Sequence, residues 1–167
     1  MEAFAQPGSL AHFPSIGRWS VTAIPGGWIY VADFGIRQMA MDATTMSASV
    51  CAGQDILDSE NGLAEYIEKQ KRQIENHLKE AKFAGPQTTT FADADEAQLL
   101  FVRHHAPSVG NILHAQTYVR LGTWIGIITF TASEMQLKAV RADYEAFVKG
   151  LRIGPQLASE PAARVHR

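Results

Sequence analysis

The chain has 167 residues, 46% of them hydrophobic and 19% charged, with 15 basic side chains against 17 acidic ones and a formal net charge of −2 at pH 7. That length accommodates one domain with a real core, and that mixture excludes a disordered, collagen-like or disulfide-framed protein. Charges this balanced and dispersed lack the basic footprint of a nucleic-acid-binding surface, so no nucleic-acid partner is expected.

Residues 1–19, MEAFAQPGSLAHFPSIGRW, contain neither the basic n-region nor the apolar h-region of a secretory signal. No run approaches the roughly 20 apolar residues of a membrane span. A cytoplasmic protein with no stable membrane insertion is the expectation. Residues 19–24 (WSVTAI) and 28–34 (WIYVADF) are β-prone runs on either side of Pro25-Gly26-Gly27, which predicts two strands around a turn. Residues 44–51 (TTMSASVC) are small and β-branched in alternation and predict a further strand ending at Gly53. Cys51, the single cysteine, has no internal disulfide partner and is expected as a buried structural thiol.

Across residues 59–82 the period changes. Leu63, Ile67, Gln70, Ile74 and Leu78 recur at three or four on one face, with Tyr66 beside them and charged residues opposite, predicting an amphipathic helix. Ser59 followed by Glu60 suits its N-terminal cap, and Gly85-Pro86 prevents its continuation. Residues 88–91 and 98–104 flank the acidic turn Asp93-Ala94-Asp95-Glu96 and predict a hairpin.

Residues 111–153 form one unit: a strand, a tight turn at Leu121-Gly122, a strand over 124–130, and a second amphipathic helix. The helix carries Leu137, Val140, Tyr144, Phe147, Val148 and Leu151 as its apolar stripe. It opens on Ser133-Glu134-Met135-Gln136, the pattern of a capping box, and Gly150 suits a left-handed C-terminal position. Residues 1–154 are expected as a single domain and residues 155–167 as a disordered tail.

Catalytic signatures are missing. Gly-x-Ser-x-Gly is absent, and Pro25-Gly26-Gly27 precedes a strand instead of the helix that a phosphate loop needs. His104 and His105 point to opposite faces of a strand and cannot chelate together, so a solvated loop-edge pair is expected. The Asp93, Asp95 and Glu96 cluster lacks the glycine and later Glu of a calcium loop and is expected as a polar turn. Neither an enzyme nor a cofactor is predicted. Two amides stand out instead. Gln70 lies within an apolar helical stripe, and Gln116 shares a strand face with Ile112, His114 and Tyr118. A buried amide without a partner costs about 1–3 kcal/mol, so each must bond internally, reach solvent, or serve a ligand. Ile125 and Ile127 opposite Trp124, Ile128 and Phe130 make a strand apolar on both faces, which needs a second cover: a ligand or a second copy.

The element order, with HAQTYV at 114–119, TFTAS at 129–133 and YEAFVKGLRI at 144–153, resembles the DcrB/PsbP-like superfamily over residues 8–154. That resemblance implies an α+β fold, a curved antiparallel β-sheet flanked by two main α-helices. Without a signal or lipoprotein sequence, the chain most resembles the cytosolic Eag-type chaperones of type VI secretion effectors. Those are homodimers that hold the effector's hydrophobic N-terminal transmembrane helices in a groove before export. By the same resemblance the partner is such an effector, Gln70 and Gln116 are the groove amides, and Ile74, Leu78 and Ile112 are apolar lining. The alternative implied is a PsbP-like accessory or small-ligand-binding module.

Overall fold

Three long strands form the middle of the molecule, joined by two short turns. In the computed structural model, which describes residues 19–21, 26, 28–31, 35–38, 46–57 and 62–154, they are β6 (Glu96–Ala106), β7 (Gly110–Leu121) and β8 (Trp124–Ser133). Ahead of them come β1 (Trp19–Val21), β2 (Trp28–Val31), β3 (Gly35–Gln38), β4 (Ser49–Ile56), α1 (Leu63–His77) and β5 (Lys82–Thr89); α2 (Leu137–Gly150) and β9 (Leu151–Ile153) follow. Seven strands make an antiparallel sheet in the order β2-β3-β4-β8-β7-β6-β5, and β1 pairs with β9. The expected α+β architecture is present.

The hairpins are local, but β4 must reach across the chain to pair with β8, from Ser49↔Thr131 to Ile56↔Trp124. The β7–β8 turn uses Gly122 at φ 60, a left-handed position that suits glycine. Its N–H donates to Asp95 Oδ2 at 2.7 Å, and the Asp95 N–H donates to Arg120 O at 2.8 Å. The acidic turn is thus a clasp between adjacent hairpins.

One face of the sheet packs against α2. There Trp19, Val50, Ala115, Ile128 and Phe130 meet Val140 and Phe147, with Tyr144 stacked on Phe130 at 4.6 Å between ring centroids. Gly126 makes room for the indoles: a Cβ there would lie 2.3 Å from Trp19 and 2.4 Å from Trp124. The other face packs against α1, where Leu63, Tyr66 and Ile67 meet Leu100, Val102, Tyr118 and Ile125. The second cover for Ile125 is therefore a helix of the same chain. Among the described residues no helix is long and apolar enough to cross a membrane.

Several boundaries differ from expectation. α1 ends at His77, since Leu78 is extended and Glu80 takes φ 60; Gly85-Pro86 does not stop it but lies inside β5, where the pairing with β6 shifts between Ala84 and Gln87. Gly62 occupies the N-cap position without a side-chain bond, and Ser59 and Glu60 lie outside the described residues. β4 passes through Gly53 to Ile56, because β8 offers a partner along that whole length. At α2, Gln136 reaches back to the Ser133 N–H at 3.1 Å, as a capping box requires. The Ser133 hydroxyl instead donates to the same amide oxygen at 3.0 Å, and the helix starts only at Leu137. Gly150 ends the helix without a left-handed turn, because Leu151 goes straight into β9 with φ −71 and ψ 140. β3 was not foreseen. Residues 32–34, 44–45 and the tail 155–167 lie outside the described residues.

Candidate functional site

Side chains of β7 alternate between the faces, which places Ile112, His114, Gln116 and Tyr118 on the α1 side. On α1, Leu63, Ile67, Gln70 and Ile74 fall within about 60° of one another around the helix axis, given roughly 100° per residue. Since Leu63 and Ile67 are buried against the sheet, Gln70 faces the sheet too. The structure therefore brings both amides to one side. Gln70, Ile74 and Gln116 are half-buried, Leu78 is half-buried where α1 ends, and Ile112 is buried beyond His114 along β7. Ile74 packs against the α1-side core.

Gln116 is partly satisfied from within. Its Oε1 accepts the Tyr118 hydroxyl at 2.7 Å. The Tyr118 ring meets Tyr66 edge-on, with centroids 6.2 Å apart, and the Tyr66 hydroxyl donates to Asp55 Oδ2 at 2.9 Å. Burial raises both phenols above their ordinary pKa, and the Asp55 bond raises Tyr66 further, so both remain donors at neutral pH.

Beside Gln116 the sheet is only partly covered. Gln116 is opposite Thr129, which is opposite Cys51; Tyr118 is opposite Ile127, which is opposite Gly53. Thr129 and Ile127 are half-buried, and Cys51 and Gly53 are exposed. This strip spans β7, β8 and β4, about 10 Å at roughly 4.8 Å per strand. Its floor is small or mildly polar side chains together with one aliphatic side chain, Ile127. Cys51 is not the buried thiol expected: the residue is exposed on the outward phase of β4, while its sulfur is desolvated enough against Thr129 to push the thiol pKa up, hydrogen bonds to Thr129 acting the other way.

The histidines occupy the neighbouring end of the strip. His104 and His105 do face opposite ways, but they lie within β6, which continues to Ala106, and not at a solvated loop edge. His104 is half-buried and stacks on His114, with centroids 5.1 Å apart and planes 12° from parallel. His114 Nδ1 meets Thr131 Oγ1 at 2.9 Å, whereas His114 Nε2 and His104 Nδ1 are buried without a hydrogen-bond partner. Burial, and then the neighbouring His104, lowers the His114 pKa to about 4. His105 Nδ1 lies 3.4 Å from Asn111 Oδ1 on the other face. Among the described residues no group of three or more His, Cys, Asp or Glu side chains is arranged to hold a metal ion.

Sequence reasoning missed the His104–His114 stack and the Tyr118 bond to Gln116. The turn at 107–109 carries the signal for the first: once β6 runs to Ala106, His104 pairs with Ile112 and has His114 as its diagonal neighbour.

No family model and no curated protein sequence matches the chain. Solved structures do. PA94, a protein of unknown function from Pseudomonas aeruginosa, superposes with a TM-score of 0.59 at 17% identity, covering 83% of this chain and 90% of its own. LpqN of Mycobacterium tuberculosis, described as involved in cell envelope biogenesis, gives 0.63 at 14% identity, with 87% and 89% covered. Cyanobacterial PsbP from Synechocystis gives 0.53 at 8% identity, with 81% and 86% covered. Identities this low speak for the fold alone: the chain has a PsbP-like α+β fold.

Proposed function

We propose that the protein is a cytoplasmic, non-enzymatic chaperone or adaptor that receives an apolar N-terminal transmembrane helix of a type VI secretion effector before export. The observation that carries this reading is the incompletely covered strip from Gln116 through Thr129 to Cys51 beside α1. Its width of about 10 Å suits a helix of roughly 10–12 Å diameter. Small floor residues let a helix approach closely, and Gln70 and Gln116 border its path. Affinity comes from apolar area at roughly 25 cal/mol per Å² removed from water. A transmembrane helix is apolar all round, so one strip leaves half of it wet; a second copy of the chain supplies the other half, and the working form is a homodimer.

Co-expression with a secretion effector bearing such helices should yield a stable complex that contains two copies of this chain. Gln116→Ala should weaken it in protein that remains folded, with a lowered melting temperature because the buried Tyr118 hydroxyl loses its acceptor. Failure of every effector segment to co-purify, in the presence of well-folded protein, would overturn the reading. A second reading, an accessory module for a small ligand, draws on the fold shared with PsbP and LpqN. It calls for a closed pocket with convergent polar groups, and a saturable small-molecule ligand that leaves the apolar helix unbound would favour it.

A further inference from the structure

Gln116 has two chemically opposite ends, and the structure occupies only one of them. Its Oε1 accepts a hydrogen bond from Tyr118, a side chain 1% exposed whose hydroxyl has Gln116 as its hydrogen-bond partner among the described residues. Turning the amide over would put its NH2 against the phenol oxygen and leave the buried phenolic proton without an acceptor. The orientation of the amide is therefore set by chemistry. The Nε2 end is outside the set of buried unpartnered atoms and is not engaged by any described residue. Its two N–H groups lie on the α1 side of the sheet with Gln116, at the border of the strip, and have no partner among the described residues.

The geometry points to Tyr118 as a positioning residue that locks Gln116 as an obligate donor, so the strip selects segments that place a hydrogen-bond acceptor, such as a Ser or Thr oxygen, opposite Gln116. This rests on the helix-binding reading above. Apolar contact rewards any helix of suitable width, whereas a fixed donor rewards only one register of an acceptor-bearing helix. Specificity and register thus come from a hydroxyl that never touches the partner.

The test uses Leu/Ala helical peptides of about 20 residues, carried on a soluble fusion, whose central residue is Ser, O-methylserine, Ala or diaminopropionate. Ser offers a donor and an acceptor, O-methylserine only the acceptor, Ala neither, and diaminopropionate, at a pH where its amine is protonated, only donors. The full chain should bind the Ser and O-methylserine peptides about fivefold more tightly than the Ala or diaminopropionate peptides, the ratio of one net hydrogen bond. Tyr118→Phe keeps the ring against Tyr66 and should erase that ratio while leaving the Ala peptide's affinity unchanged. Gln116→Glu presents an acceptor instead and should reverse the preference toward diaminopropionate, which decides the matter even where Tyr118→Phe melts too early to assay. An unchanged acceptor preference in Tyr118→Phe, or an unreversed one in Gln116→Glu, overturns the lock. The Gln116 Cδ chemical shift in the unliganded protein separates this from failure of the chaperone reading. Tyr118→Phe should move it upfield as the bond to Oε1 is lost, and an unmoved shift overturns the lock even if no peptide binds at all.

Discussion

On the α2 side of the sheet, Val50, Ala115, Ile128 and Phe130 are closed over by Val140, Tyr144 and Phe147. On the other side, the very next residues of the same strands, Gln116, Thr129 and Cys51, are half-buried or exposed. The strands alternate, so both faces were open to the same apolar filling. Only the α2 face took it in full, with two indoles packed over a glycine at a 60° tilt to one another. The α1 face is apolar under the helix, at Leu100, Tyr118 and Ile125, and turns small and polar beside it. An antiparallel sheet tolerates one wetted region because its backbone is satisfied by neighbouring strands. The dense face holds the fold, and the mixed face is free to serve binding.

The largest losses should come from the α2 side. Phe130→Ala should lower unfolding free energy by about 3–5 kcal/mol in urea titration, as for other buried aromatics, while Thr129→Ala next to it should stay within about 0.5 kcal/mol. Comparable losses at the two positions would erase the distinction between the faces. Gly126→Ala comes next. Its added Cβ meets two large rings held by Trp19 Nε1 on Gly53 O and Trp124 Nε1 on Gln54 Oε1, so overpacking should cost about 1–3 kcal/mol.

Acid sharpens the comparison from the other face. The His114 pKa falls from 6.5 to about 4 on folding, because burial and then His104 oppose its charge. The unfolded chain binds the proton more readily, so the stability this group contributes is intact above about pH 6.5 and is lost progressively as pH falls toward about 4. For a half-buried imidazole, screened by solvent, the span should be about 1–2 kcal/mol. Urea midpoints measured from pH 7.5 to 4 should show that decline in the wild type and a flatter profile in His114→Phe. Equal slopes would remove His114 as the cause. Smallest of all, Cys51→Ser should change stability by less than about 0.5 kcal/mol, since Cys51 is exposed on the strip; a loss comparable with that of Gly126→Ala would mean the strip is packed after all.

Much of this was legible along the chain. The hairpin-helix unit from residue 111 to 153 follows from alternation giving way to a 3.6-residue period, and the glycine turn at Gly122 sits where the pattern breaks. The helix ends were less legible. Leu78 continues the apolar stripe of α1 in spacing, yet its backbone is already extended, because Phe83 of β5 must pair with Val102 of β6. Cys51 was misjudged for a related reason: small neighbours suit either face of a strand, and only pairing with β8 reveals which face is outward.

Local pattern alone determined that this is an α+β chain, that Gln116 shares a face with Ile112, His114 and Tyr118, and that His104 and His105 diverge, because these follow from periods of two and 3.6. Tertiary structure decided what those faces meet. It closed Ile125 with α1 of the same chain, stacked His104 on His114, set Gln116 opposite Thr129 and Thr129 opposite Cys51, and spent the oxygen of Gln116 on Tyr118. Such outcomes depend on register between strands far apart in sequence, β4 on β8 above all, and a one-residue slip there would exchange the two faces.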